Sequence, residues 1–220
     1  AINDPVLIPK YAVLDPSLTL KLPKHITSTT GMDALTHAVE AYIGSSNTEL
    51  TKAMAIKATK LIFENLKNAY DNGEDIKARR NMQLASYYAG VAFTRAYVGN
   101  VHAIAHTLGG FYGVPHGLAN AVILPHILDF YGEKAYVKLS ELANAVGIKG
   151  TTEAKAKQFI QAVKDMNAYM NIPTTIDGIK EEDIPTMVER AFKEANPLYP
   201  VPKIMSKEDF TAMYHEIATK

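Results

Sequence analysis

The sequence contains no cysteine and no tryptophan, its 23 basic residues are balanced by 23 acidic ones, and no apolar run approaches membrane length. Without cysteine there is no disulfide, thiolate metal site, iron–sulfur cluster or cysteine nucleophile, so any site chemistry must come from carboxylates, imidazoles, hydroxyls and amides. A net charge of zero provides no long-range field for phosphate backbones or anionic lipid, which argues against nucleic-acid and membrane partners. The longest apolar stretch, residues 118–128, is interrupted by Asn120, Pro125 and His126, and falls short of the roughly 18–20 residues that span a bilayer. The first fifteen residues lack both an initiator methionine and the basic-then-apolar order of a signal peptide. They read as the interior of a longer chain, with a cytoplasmic location expected.

What the sequence does contain is helical periodicity. Residues 1–27 carry prolines at 5, 9, 16 and 23 and one β-like run at 11–14 closed by Asp15-Pro16-Ser17, which predicts an extended N-terminal segment with one strand and a turn. Past Ser28-Thr29-Thr30-Gly31, apolar Leu35, Val39, Tyr42 and Ile43 recur at helical spacing, predicting a helix over 31–44 with those hydroxyls capping its start. Further helices are predicted over about 48–70, 75–97, 100–109 (stopped by Gly109-Gly110) and 117–131, the last kinked or ended by Pro125. Beyond them come 133–146, 151–170, 181–195 and 206–219, the final one opened by a capping box at Ser206 and Asp209. The fold class that follows is an all-α multi-helix bundle, one domain over 28–220 behind the extended segment 1–27.

Seven histidines carry the chemical signal. Asp33 and His37 are four apart, so a carboxylate and an imidazole project from adjacent turns of one helix face, opposite Leu35 and Val39. His102 and His106 repeat that spacing, and His116 follows a glycine-rich reversal. Helical pairs of this kind on facing helices chelate one metal ion. Spacing alone leaves both readings open: a metal site, or histidines satisfied in the core and on the surface. His126 is read as a packing residue, His25 and His215 as surface residues. No H-E-x-x-H, G-x-S-x-G or Walker A motif is present, and Gly109-Gly110-x-x-Gly113 is not a dinucleotide fingerprint.

Two long segments, GMDALTHAVEAYIG at 31–44 and HAIAHTLGGFYGVPHGLANAVILPHIL at 102–128, resemble the signature segments of the iron-containing, group III alcohol dehydrogenases. The LDPSLTLKLP, AGVAFTRAYVGN and ANPLYPVPKIM stretches are similar to that family as well. The resemblance implies the helical, metal-binding second half of a two-domain enzyme, of dehydroquinate synthase-like fold. Carried over position by position, it implies metal ligands at Asp33, His37, His102 and His116, and a catalytic, nicotinamide-proximal proton-transfer residue at His106. It also implies a pocket-lining, cofactor-contacting position at Phe93.

Segments similar to the family's glycine-rich pyrophosphate loop do not occur in these residues, so NAD(P)H is expected to reach the site through an N-terminal nucleotide-binding domain. Four protein ligands would complete a tetrahedral zinc shell, whereas ferrous iron accepts five or six. Fe2+ is therefore the expected ion, with Zn2+ as a substitute. The implied reaction interconverts a primary alcohol or diol and its aldehyde or ketone, inactive without the nucleotide-binding half. A homodimer is a further implication. The competing reading is a stand-alone helical metal-binding or interaction module. A relative of dehydroquinate synthase or glycerol dehydrogenase would use a smaller ligand set.

Overall fold

A computed structural model describes residues 5–219; residues 1–4 of the expected N-terminal segment lie outside the described residues. Among the described residues there are nine α-helices and no strand, in agreement with the all-α reading. None of these helices is long and apolar enough to cross a membrane.

Helix α1 (Lys24–Ile43) is the axis of the molecule. Four consecutive residues, Ala38, Val39, Glu40 and Ala41, point to all sides of it at about 100° per residue and are all buried, so this stretch of the helix is enclosed around its circumference. Helices α2 (Glu49–Asp71) and α3 (Ile76–Ala96) pack along each other and along α1. Helices α4 (Asn100–Tyr112) and α5 (His116–Tyr131) are joined by three residues, and α5 lies against α1. Helix α6 (Glu133–Ala145) pairs with α7 (Thr152–Tyr169), α8 (Ile184–Ala195) covers α4, and α9 (Lys207–Ile217) packs on α8.

Helix α1 begins at Lys24, seven residues before the expected 31, so the 27/28 boundary falls inside it, and the segment up to Pro23 is not extended throughout but holds 3-10 turns at Pro5–Leu7 and Pro16–Thr19. The hydroxyls read as caps are interior: Thr29 and Thr30 donate back to the carbonyls of His25 and Ile26, each at 2.7 Å. Back-bonding and capping use the same side chains, and Pro23, with φ at −58°, already presets the first turn. The run 11–14 is no strand. Tyr11 and Val13 stand 89% and 93% exposed, with no neighbouring strand to pair with. Gly109 and Gly110 do not stop α4, which continues to Tyr112 and ends on Gly113 at a left-handed φ of 66°.

Pro125 neither ends nor replaces the turn it sits in; α5 runs on to Tyr131. Proline lacks the N–H that would bond the Ala121 carbonyl. That carbonyl instead accepts the Asn167 side-chain amide of α7 at 2.6 Å in the buried interior. Replacing Asn167 by leucine is expected to orphan the carbonyl and lower stability by about 1–3 kcal/mol, read as a drop in the urea midpoint at unchanged helicity; an unchanged midpoint would show that α5 tolerates Pro125 unaided. The capping box at Ser206 and Asp209 forms as expected.

Candidate metal centre

Three helices deliver the candidate ligands. Helix α1 carries Asp33 and His37 one turn apart, α4 carries His102 and His106, and α5 begins at His116. The first turn of α5 comes so close to α1 that a Cβ at Gly117 would stand 2.5 Å from the Thr29 carbonyl oxygen. Glycine at 117 is therefore what lets His116 reach Asp33. The Asp33 carboxylate lies 3.4 Å from His116 Nε2, 3.9 Å from His102 Nε2 and 3.7 Å from His37 Nε2. One ligand atom from each of Asp33, His37, His102 and His116 can be chosen so that all four lie within 4.8 Å of one another. Ligands placed tetrahedrally at 2.0–2.2 Å from one ion stand roughly 3.4 Å apart, so the set needs only small side-chain adjustments to close on a metal.

Packing holds these rings in different ways. His37 is sandwiched between Phe93 and His102, at centroid distances of 4.1 and 4.3 Å, and its Nδ1 is buried without a partner. Phe93 therefore lies at the site, as an apolar wall against His37. His102 forms the buried floor, while His106 and His116 form the open rim, stacked at 5.4 Å. Burial holds the His37 and His102 imidazoles down to about 3, with the neighbouring imidazole adding to the effect at His37. They are thus neutral at pH 7, the form that binds metal.

Three residues missed by sequence reasoning complete the surroundings. Asn120, one turn beyond His116 and fully buried, donates its amide to Asp33 at 2.6 Å and stands 3.0 and 3.1 Å from the Nε2 atoms of His116 and His102. Its Oδ1 is buried with no partner. Glu194 of α8 meets His106 Nδ1 at 2.6 Å and accepts the Tyr199 hydroxyl at 2.6 Å. That contact raises the His106 pKa; burial alone would raise Glu194, but the two hydrogen bonds outweigh it and hold the carboxyl low. Glu40 of α1, 4% exposed, meets His102 Nδ1 at 2.6 Å.

Asn120 and Glu40 had a signal in the sequence, since each interrupts an apolar helical run one turn from a histidine. Glu194 had none, lying 88 residues from its partner. The remaining histidines stay apart from the centre: His126 is tied to Glu216 at 2.7 Å, His215 to Glu181 at 3.0 Å, and His25 is exposed.

Residues 27–218 match the profile of the Fe-containing alcohol dehydrogenase family, C-terminal. The chain belongs to that family. Alcohol dehydrogenase 4 of Saccharomyces cerevisiae is 43% identical over 199 residues, 89% of this chain and 51% of that protein. The NAD-dependent methanol dehydrogenase of Bacillus methanolicus is 41% identical over 196 residues, 87% and 51% of the two chains. Among solved structures, the alcohol dehydrogenase from Oenococcus oeni superposes with a TM-score of 0.86 at 37% identity, covering 92% of this chain and 54% of that one. The chain thus spans about half the length of the relatives it matches. The donor set fits a borderline divalent ion: one carboxylate, three imidazoles, two of them held neutral, and no thiolate.

Proposed function

We propose that this chain is the metal-binding catalytic half of an iron-dependent, NAD(P)-linked alcohol dehydrogenase, with Asp33, His37, His102 and His116 holding Fe2+ and Zn2+ able to substitute. The observation that carries the reading is the convergence of these four side chains from three helices on one point whose rim, at His106 and His116, is open to solvent. A divalent ion bound there would acidify an alcohol oxygen and, in the reverse direction, polarise a carbonyl.

The chain's own residues supply the rest. His106, fixed by Glu194 and 44% exposed at its side chain, is placed to move a proton between the site and solvent. Phe93 closes one side with an apolar ring and keeps water off the His37 face. The hydride acceptor, a nicotinamide cofactor, is assigned to the part of the relatives that this chain does not match. The exposed apolar side chains of Tyr11, Val13 and Leu18 offer a surface for that part to cover.

The test compares the chain alone with a polypeptide carrying both halves, each reconstituted with iron or zinc and assayed for NAD(P)+-dependent oxidation of short alcohols and diols. Turnover is expected only with both halves and with iron. Comparable turnover by the chain alone would overturn the need for the second half. No turnover with both halves would favour a metal-binding module instead.

A further inference from the structure

Glu40 is a carboxylate where an apolar residue would be expected. It lies on α1 between Val39 and Ala41, both fully buried, and its own side chain is 2% exposed. Among the described residues no lysine or arginine is paired with it. Instead two backbone N–H groups and one imidazole nitrogen converge on it. Its Oε2 accepts Gly99 N–H at 2.8 Å and meets His102 Nδ1 at 2.6 Å, and its Oε1 accepts Val101 N–H at 2.9 Å. The backbone is shaped for this approach. A Cβ at Gly99 would stand 2.7 Å from Glu40 Oε1, and Tyr97, two residues earlier, turns the chain with a φ of 65° that few non-glycine residues adopt.

On the far side of the His102 ring, Nε2 faces the Asn120 amide nitrogen at 3.1 Å, and an amide nitrogen only donates. With Glu40 ionised, both edges of the ring favour one tautomer: the proton on Nδ1 toward Glu40, the lone pair on Nε2 toward Asp33 and His116. His37, by contrast, has a buried Nδ1 with no partner and is held by stacking.

We infer that Glu40 is a positioning residue that fixes the Nδ1–H tautomer and the ring orientation of His102, and so presents its Nε2 lone pair to a divalent cation. The inference rests on the proposed metal site and deepens it. A purely structural role would be to cap the first turn of α4 through Gly99 and Val101. That role makes no demand on which nitrogen of His102 carries the proton. The carboxylate–imidazole–metal arrangement does, and losing such an outer partner lowers metal affinity by about 10–100-fold.

Glutamine cannot serve all three donors. With its carbonyl toward His102 its amide faces the Val101 N–H, and with its amide toward His102 the ring must move its proton to Nε2.

The test uses the 220-residue chain at about pH 8, above the value of about 7 to which burial pushes Glu40, with Co2+ as the probe, followed by its visible absorption, and nitrogen-15 NMR of the metal-free imidazoles. Glu40→Gln is expected to weaken Co2+ binding at least tenfold at unchanged helicity, and the unaltered chain to show His102 protonated on Nδ1. If Glu40→Gln does not fold, the tautomer in the unaltered chain decides. A proton on Nε2 of His102 in the unaltered chain overturns the inference. So does Glu40→Gln binding Co2+ within twofold of the unaltered chain while Asp33→Asn loses it, a result that leaves the metal site standing. Asp33→Asn retaining full Co2+ affinity overturns the metal reading and the inference together.

Discussion

Replacing Asp33 with asparagine is expected to weaken divalent-metal binding on the order of a thousandfold, beyond the roughly 10–100-fold that follows loss of an outer partner such as Glu40, and to lower kcat of the two-half enzyme correspondingly. Asp33 is the only anion among the four candidate ligands, and its carboxylate is the shared neighbour of the other three, 3.4 to 3.9 Å from each imidazole. Asparagine has nearly the same volume and shape, so the α1 packing around Met32 and Leu35 is preserved and far-UV circular dichroism should not change. What is lost is one negative charge beside a dication, in a site whose floor is buried and poorly screened. Metal content after exhaustive dialysis, paired with helicity, reads the effect. A variant that keeps a full equivalent of metal would remove Asp33 from the ligand set.

Asp33 and its three imidazoles also show how much of the site is legible in the sequence. The i, i+4 pair on α1 and the cluster at 102–116 stand out because helical spacing fixes which side chains share a face. Helix existence is equally legible, since apolar residues recur every three to four positions through each of the nine helices. Boundaries are not. Thr29 and Thr30 look like caps but bond backward inside α1, and Pro125 looks like a terminator but its lost hydrogen bond is replaced from 46 residues away. The pairings of the supporting polar residues are hidden for the same reason. Glu194 meets His106, and Glu40 meets His102, only because α8 and α4 pack where they do, and no local rule encodes such a pairing. The extended run 11–14 has strand chemistry and no strand partner among the described residues, which shows that alternation marks a pairing preference and not a pair.

Acid should unfold the metal-free chain far more readily than the metal-loaded one. His37 and His102 are held down to about 3 by burial, against about 6.5 for an unfolded imidazole. Below pH 6.5 the unfolded chain takes up protons that the native chain refuses. The stability tied to these two rings is therefore present above about 6.5 and is lost as pH falls toward 3, with a slope approaching 1.36 kcal/mol per pH unit for each ring.

Glu40 works in the opposite sense over part of that window. Burial pushes it up to about 7 from 4.5, so between pH 7 and 4.5 the native state gains a proton the unfolded state lacks, offsetting one of the two imidazoles. Below 4.5 Glu40 is protonated in both states and the offset stops growing. The low-lying Glu194 carboxyl then adds a further loss in the same direction. The two rings are stacked at 4.3 Å, so the second proton enters against the charge of the first.

His106, raised by the Glu194 hydrogen bond, adds stability as pH falls to about 6.5, so the sum is a shallow change down to about pH 4.5 and a steep decline beneath it, on the order of several kcal/mol, comparable with the 5–15 kcal/mol total of an ordinary domain. A bound divalent ion competes with protons for the same lone pairs and must shift the acid midpoint downward. Circular dichroism from pH 7.5 to 3, with chelator and with added metal, reads both arms. Equal stability of the metal-free chain at pH 4 and pH 7.5 would mean that these rings are not buried and neutral in solution, and that the floor of the proposed metal centre is open to water.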